Sequence, residues 1–466
     1  MKDVTAVVLA AGLGTRMKSQ LPKVLHRIAG RPLIEFPVRA ALELDVAAVV
    51  VVTSGHPEIE ASLTKAFGSK VVTAVQDPPR GTGDAARVGL ERVSTERTLI
   101  LCGDTPLVTA KELELLLGES RDAELSLLSA IPLEPAGYGR VLRAPDGRVL
   151  EIREQRDLKT DAERAVREVN SGIYAAKTSV LVEAVKHLEP MNAQGELYLT
   201  DIVASTAGRG RVVALVGSAD ALVGVNDRAQ LRDAEELLYE RIRGRLGREG
   251  VMVRGDARID DTVVVAPGAE IEAGVRLRGA TRIGADSRID VGSVLTDVTL
   301  GAGVNVKPYS VMTSSTVGDR AEIGPFSHLR PDSEIEAEAH LGNFVETKKT
   351  RVRRGAKANH LAYLGDADIG EKANIGAGTI VCNYDGFQKH RTTVGAEAFI
   401  GSDSQLVAPV TIGKGAFVAS GTTVTEDVPD EALALSRAPQ VNKPGRGAAL
   451  RARLAEAARQ AKQKKG

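Results

Sequence analysis

Residues 258–295 read RIDDTVVVAPGAEIEAGVRLRGATRIGADSRIDVGSVL, and their spacing decides the architecture of the C-terminal part of the chain. Ile259, Val265, Ile271, Leu277, Ile283, Ile289 and Leu295 recur at every sixth position. An α-helix buries a residue every three or four positions and a half-buried strand every second one, so neither selects this period. A hexapeptide β-solenoid does, because each six-residue side sends one aliphatic residue inward and turns at a small neighbour. After short slips the period returns at Val317, Ile323, Leu329, Ile335 and Leu341, and again at Ile369, Ile375 and Val381. It resumes at Val394, Ile400, Leu406, Ile412, Val418 and Val424, often with Gly following, as in Ile323-Gly324 and Ile400-Gly401. Chance spacing in a Val/Gly-rich chain does not hold phase over so many positions. Two breaks interrupt it. Residues 344–361 contain Lys348, Lys349, Arg351, Arg353, Arg354 and His360, and residues 382–393 contain Asn383-Tyr384-Asp385-Gly386 and Lys389. Both read as insertions that leave the stacked core and build a site on its surface.

N-terminal to the repeat the pattern is different. From Asp227 to Arg248, Leu231, Ala234, Leu238, Ile242 and Leu246 recur at helical spacing. Asn226 or Asp227 can cap this helix, and Gly247 and Gly250 can end it. The pattern fits a coiled-coil arm as well as a helix packed on its own domain. Before it, strand-like runs at 4–9, 47–53, 71–75, 97–102 and 125–131 alternate with helical patterns such as 32–43 and 84–93. That alternation predicts an α/β domain with a largely parallel sheet. The run Leu99-Ile100-Leu101-Cys102 is apolar on both faces, as a central strand should be. The expected organisation is therefore a domain over 1–227, a helical linker over 228–248, and a solenoid over 249–466 that ends in a basic, Ala-rich tail. The tail, with Lys462, Lys464 and Lys465, is expected to be disordered or a short exposed helix.

Composition narrows the function classes. A chain of 466 residues exceeds what one core usually supports. Its 61 basic and 61 acidic residues balance, which argues against a dedicated nucleic-acid binder while leaving room for a local basic patch. Cys102 and Cys382 are the only cysteines, so a reducing cytoplasm fits better than a disulfide framework. The apolar run after Lys2 is short and is broken by Gly12, Gly14 and Arg16, and no stretch is long enough for a membrane span.

The chemistry begins at Leu9-Ala10-Ala11-Gly12-Leu13-Gly14-Thr15-Arg16, completed by Pro22-Lys23. Glycines after a strand let backbone N–H groups approach phosphates, and Arg16 and Lys23 add cationic charge. A lone Gly-rich loop is weak evidence, and this spacing matches neither the dinucleotide nor the Walker A form. Gly103-Asp104 follows the 97–102 strand, so the Asp104 carboxylate should emerge at the sheet edge where open α/β folds bind ligands. An Asp there suits Mg²⁺, which prefers oxygen ligands and bridges phosphates.

The complete loop string, with Pro22-Lys23, resembles the signature of sugar-1-phosphate nucleotidylyltransferases. Further motifs narrow the resemblance: Gly81-Thr82-Gly83, Gly137-Tyr138-Gly139-Arg140, Asn192-Ala193-Gln194-Gly195-Glu196 and Gly224-Val225-Asn226. The second half adds Arg330-Pro331, Gly342-Asn343-Phe344-Val345-Glu346, His360-Leu361-Ala362-Tyr363-Leu364-Gly365-Asp366 and Asn383-Tyr384-Asp385-Gly386. Together with the connecting helix and the solenoid, the chain resembles, over nearly its whole length, the bifunctional N-acetylglucosamine-1-phosphate uridylyltransferase and glucosamine-1-phosphate N-acetyltransferase family. The resemblance implies a Rossmann-like nucleotidyltransferase domain, a connecting helix and a left-handed parallel β-helix. It also implies two reactions that make UDP-N-acetylglucosamine for bacterial peptidoglycan and lipopolysaccharide-type envelope precursors. Acetyl-CoA acetylates glucosamine-1-phosphate, and UTP then uridylylates N-acetylglucosamine-1-phosphate with release of pyrophosphate.

By that resemblance Leu9, Ala10, Ala11, Gly12, Lys23, Gln76, Gly81, Thr82 and Gly103 would hold the uridine nucleotide. Gly139, Glu154 and Asn170 would face the sugar. Asp104 and Asn226 would hold Mg²⁺, and Arg16 would stabilise developing charge. His360, whose ordinary pKa range suits a general base, would deprotonate the glucosamine amine, with Glu346 orienting it. Arg330, Lys348, Tyr363 and Asn374 would bind glucosamine-1-phosphate. Ala377, Asn383, Tyr384, Lys389, Ser402, Ser420 and Arg437 would lie around acetyl-CoA. The family also implies a homotrimer whose acetyltransferase sites draw on neighbouring chains. Three departures stand out: Asp84 where a His is common, Gln155-Arg156-Asp157 where His-Lys-Asp is familiar, and Ser420 in place of a common Ala. Competing readings are a nucleotidylyltransferase for another sugar with a regulatory solenoid, and a non-enzymatic nucleotide sensor on a trimerisation platform. Neither accounts for His360 and the Asn383-Tyr384 segment together with Lys23 and Asp104.

Overall fold

A computed structural model describes residues 1–12, 14–222 and 224–463. Leu13 of the loop and Lys464 and Lys465 of the tail lie outside the described residues. The chain divides into two compact units: Met1–Val265 with Ala273–Thr281, and Ala266–Glu272 with the chain from Arg282 onward.

The first unit is built on a mixed sheet. Its main strands are β1 (Val4–Ala10), β2 (Ala48–Thr53), β3 (Val71–Val75), β4 (Arg97–Cys102), β5 (Leu125–Ala130), β6 (Val169–Lys177) and β7 (Val212–Val216). They run in the order β7-β5-β6-β4-β1-β2-β3, and a hairpin of Arg140–Arg143 and Val149–Arg153 joins through β6. Strands β1 to β4 are mutually parallel, because helical crossovers return each one to the same edge. Strand β6 runs antiparallel to both β4 and β5. Alternation along the chain did not foretell this strand: its start, Val169-Asn170-Ser171-Gly172, carries no apolar run, and its register shifts between Asn170 and Tyr174.

Successive residues of a strand face opposite sides, so β1 feeds two cores. Ala6, Val8 and Ala10 pack with helices α1 (Glu35–Glu43), α2 (Pro57–Phe67) and α4 (Ala110–Glu119). Val7 packs on the other face with α3 (Thr82–Leu90), α5 (Thr178–Lys186) and α6 (Asp201–Ala207). Between β4 and β1 the direction of winding reverses, which leaves a crevice at their C-terminal ends. Helix α7 (Arg228–Arg248) is capped by Asp227, whose Oδ1 accepts from the N–H groups of Ala229 and Gln230 at 2.9 Å. Ala234, Leu238, Ile242 and Leu246 are buried, and Arg228 donates to the Met17 carbonyl at 3.2 Å. The helix packs on its own unit and is not an arm.

The second unit is a three-sided parallel β-helix of the left-handed hexapeptide kind. Glu270 pairs with Arg288 one turn ahead, three hexapeptides on. Ile271, Ile289, Val306, Ile323, Leu341, Ala358, Ile375, Ile400 and Val418 stack in register as one inward column. All nine are buried. The slips in phase have a simple origin: several turns, such as the one from Arg282 to Thr299, are one residue short.

The two breaks turn out differently. At 382–393 a loop does leave the stack, so that Asp368 pairs with Thr393 across an enlarged turn. At 344–361 no insertion exists. Strands His340–Lys348 and Lys357–Gly365 keep a single register from His340/Lys357 to Lys348/Gly365. The period is hidden there because Thr347 occupies the inward position. It is fully buried and its hydroxyl donates to Ser333 Oγ at 2.8 Å. Corner residues in this region are left-handed without being glycine, among them Tyr309, Phe326 and Phe344 at φ 57°, 55° and 59°. Their rings stack with centroids 5.5 Å apart, which offsets part of the backbone strain. The tail forms helix α8 (Arg446–Gln463), with Leu450 and Leu454 exposed.

Candidate active sites

In the first unit the loop after β1 borders two adjoining cavities. One, of about 400 Å³, is lined by Leu9, Ala10, Ala11, Gly12, Lys23, Gln76, Gly81, Thr82 and Asp104. The other, of about 580 Å³, is lined by Gly12, Arg16, Lys23, Glu154 and Asn226. Gly12 and Gly14 serve different purposes. A Cβ at Gly12 would meet open space, so its backbone is free to face a ligand. Gly14 has φ 61°, and a Cβ there would fall 2.5 Å from Lys23 Cβ, so the turn that delivers Lys23 requires glycine. Gly103 lies behind the wall, where its N–H donates to the Leu9 carbonyl at 2.8 Å and locks the end of β4 against β1.

Four polar groups from distant parts of the chain meet at this loop. Lys23 Nζ donates to Asp104 Oδ2 and reaches Asn226 Oδ1 at 3.4 Å, and Arg16 Nη2 donates to the same Asn226 oxygen at 2.8 Å. The Val225 N–H donates to the Asp104 carbonyl at 2.8 Å, which fixes the spacing of the two oxygen-bearing residues. Two hard oxygen ligands thus converge on one ammonium, and that suits a divalent cation as well. Among the described residues no cluster of three or more His, Cys, Asp or Glu could enclose a metal by itself.

The sugar-side residues form a second group. The Asn170 N–H donates to the Gly139 carbonyl at 2.9 Å, and a Cβ on Gly139 would fall 3.2 Å from Glu154 Oε1. Of the three, Glu154 lines the larger of the two cavities. Burial, then the carboxylates of Asp157 and Asp201, push the Glu154 carboxyl above its usual range. Burial likewise pushes the Cys102 thiol up to about 12, which leaves it un-ionised. The departure Gln155 and its neighbour Asp157 are built into the frame: Gln155 Oε1 accepts from the Gly137 N–H at 3.2 Å, and Asp157 Oδ1 from the Ala193 N–H at 3.0 Å.

In the second unit the long paired strands place His360 beside Asn343, with Nδ1 3.2 Å from Asn343 Oδ1. Arg330 Nη1 donates to Glu346 Oε1 at 2.7 Å. The strand register sets Asn343 directly opposite His360 and Glu346 opposite Tyr363. Asn343 lay inside a quoted motif but carried no charge or pKa cue that would have singled it out. Nearby, Lys348 is held below its ordinary pKa by the ammonium of Lys389 and then by Arg330. Lys348, Lys389 and Arg330 thus place positive charge close together, with Arg330 balanced by Glu346. Asn383 Nδ2 reaches Tyr363 Oη at 3.5 Å and donates to Asp366 Oδ2 at 2.6 Å. Tyr384 is exposed and bridges to Lys389 across the loop.

Further along the solenoid Ala377, Ser402 and Ser420 fall on successive turns. The Ala377 carbonyl accepts from the Asp403 N–H at 2.7 Å, the Ser402 carbonyl from the Gly421 N–H at 2.8 Å, and the Ser420 carbonyl from Arg437 Nη1 at 2.8 Å. Asn374 pairs in register with Lys357 on one side and Phe399 on the other.

Comparison with known proteins agrees with this geometry. Residues 6–168 match the model of the MobA-like NTP transferase domain. The chain is 59% identical over 466 residues to the bifunctional protein GlmU of Sorangium cellulosum (strain So ce56), covering 98% of each. It is 51% identical over 449 residues to the bifunctional protein GlmU of Anaeromyxobacter sp. (strain Fw109-5), covering 95% of this chain and 92% of the relative. The bifunctional protein GlmU of Geotalea uraniireducens (strain Rf4) is 43% identical over 453 residues, covering 96% and 99%. With a nucleotide crevice in one unit, a hexapeptide solenoid in the other, and such identity across almost its entire length, the chain belongs to the bifunctional GlmU family.

Proposed function

We propose that the chain makes UDP-N-acetylglucosamine in two steps at two sites. The solenoid site acetylates glucosamine-1-phosphate from acetyl-CoA, and the crevice then joins N-acetylglucosamine-1-phosphate to UTP with release of pyrophosphate. The observation that carries the second step is the meeting of Arg16, Lys23, Asp104 and Asn226 at the glycine loop. The reaction needs no protein nucleophile, since an oxygen of the sugar phosphate attacks the α-phosphorus directly, so positioning and charge neutralisation dominate. Gly12 and its neighbours offer backbone N–H groups to the phosphates, and Lys23 and Arg16 supply mobile positive charge. Asp104 and Asn226 would hold Mg²⁺, which when bound neutralises phosphate charge. Glu154, Gly139 and Asn170 are assigned to the sugar.

At the solenoid His360 takes the proton that the substrate amine must lose on attacking the thioester, with Asn343 holding its Nδ1. Lys348, Lys389 and Arg330 bind the sugar phosphate with Tyr363 and Asn374. The column of Ala377, Ser402 and Ser420, with Asn383, Tyr384 and Arg437, is assigned to acetyl-CoA. We take 1–227, 228–248 and 249–466 as the working divisions of the chain, a homotrimer as the active assembly, and the cytoplasm as its compartment. Two unpaired thiols support that compartment, and among the described residues no helix is long and apolar enough to cross a membrane.

A substrate panel tests the reading. Purified protein is given UTP, ATP or GTP with N-acetylglucosamine-1-phosphate, and acetyl-CoA with glucosamine-1-phosphate. Turnover with UTP and with acetyl-CoA is expected; absence of both products would overturn it. Light scattering tests the assembly, and a fully active monomer would refute the trimer.

A further inference from the structure

We propose that Asp84 determines which pyrimidine the crevice accepts, by fixing the orientation of the Gln76 side-chain amide. The inference rests on the reading of this crevice as the UTP site. Gln76 lines the cavity with Gly81 and Thr82, and it is 3% exposed. Its Nε2 donates to Asp84 Oδ2 at 2.9 Å and to the Gly81 carbonyl at 3.1 Å. A carboxylate and a carbonyl can only accept, so the amide nitrogen must face both of them and both of its N–H groups are spent. The Gln76 oxygen is then the polar atom left for a ligand. It reads a base that presents an N–H, as uracil does at N3, and it opposes one that presents a lone pair there, as cytosine does.

Asp84 is itself held in one orientation. It is 5% exposed, and Arg87 donates to its other oxygen, Oδ1, through Nε at 3.1 Å and Nη2 at 2.7 Å. Burial pushes the Asp84 carboxyl up, but the hydrogen bonds from Gln76 and Arg87 outweigh burial and keep it ionised. Asp84 stands where this chain departs from the family's common His. It is a positioning residue that acts through Gln76 without touching the base.

The hydrogen-bond inventory makes a directional test possible. In Asp84→Asn the atom facing Arg87 must still accept, so the new amide nitrogen is forced toward Gln76. Turning the Gln76 oxygen to Asn would also set it against the Gly81 carbonyl, so the amide satisfies only one neighbour in either orientation and no longer presents a single atom to the base. Initial rates with UTP and CTP are measured for the wild type, Asp84→Asn, Arg87→Met and the double variant. For Asp84→Asn, kcat/KM for UTP should fall, and the UTP-over-CTP preference should drop by about tenfold or more. In the double variant the Asn is free to turn its oxygen to Gln76, so the preference should return toward that of the wild type. Arg87→Met alone should keep the preference.

An unchanged preference in a cooperatively melting Asp84→Asn protein would overturn the inference. If that variant does not fold, loss of the preference in the double variant would do the same. A wild type that does not use UTP would instead overturn the function proposed above.

Discussion

Lys23 occupies a double position: it lines the crevice beside the glycine loop and it pairs with Asp104. Holding both charges side by side in a half-buried site avoids leaving either one uncompensated. Asp104→Ala should therefore lower uridylyl transfer by about two to three orders of magnitude, the scale of removing one preorganised electrostatic group. Glu154 gives a prediction of opposite sign for stability. Its folded-state pKa is raised, chiefly by burial, so the native state binds its proton more tightly than the unfolded chain does. The ionisation penalty is absent below the unfolded carboxyl range of about 4.3, sets in as pH rises, and is complete above the raised folded value. Glu154→Gln should accordingly melt at a higher temperature than the wild type at pH 7, with the gain vanishing toward pH 4. Scanning calorimetry at both pH values checks this, and an equal gain at both would refute it. Candidate residues such as Lys23, Asp104 and His360 were legible in the sequence because charge or titration marks them. Asn343 and Asp84 were not, because their roles depend on which side chain stands opposite.

Secondary elements add a different kind of evidence. Asp227 caps α7 with two hydrogen bonds, and Asp227→Ala should cost about 1 kcal/mol. Hydrogen exchange in the first helical turn would then quicken by roughly fivefold, while the helix centre stays protected. In the solenoid, Leu341 and Thr347 hold successive inward positions, one aliphatic and one polar. Leu341→Ala should cost about 2–5 kcal/mol through lost burial and a cavity. Thr347→Val should cost less than about 1.5 kcal/mol, because Ser333 Oγ still donates to the Arg330 carbonyl at 2.6 Å. Thermal unfolding of both variants decides whether Thr347 is a core position. A large loss from Thr347→Val would mean that its hydroxyl does more than fill space. This element also shows where a pattern search fails: a buried Thr is invisible to a count of aliphatic residues, so a turn of ordinary register reads as an insertion.

For the molecule as a whole, two reactions assigned to two compact units should be separable. His360→Ala should reduce acetyl transfer by about two to four orders of magnitude and leave uridylyl transfer intact. Asp104→Ala should do the reverse. Assays of both half-reactions on both variants check this, and loss of both activities from either change in a folded protein would contradict separate sites. The sequence by itself determined the two-part architecture, the solenoid and the glycine loop after the first strand. Each is written in local spacing: six residues per side, alternating strands and helices, and glycines directly after a strand. Only the tertiary structure decided the antiparallel β6, the constant register at 344–361, the pairing of His360 with Asn343, and the grip of Asp84 on Gln76. Those features depend on register and on contacts between residues far apart or on neighbouring turns. Local periodicity carries no information about which strand lies alongside which, or which side chain a given polar atom will face.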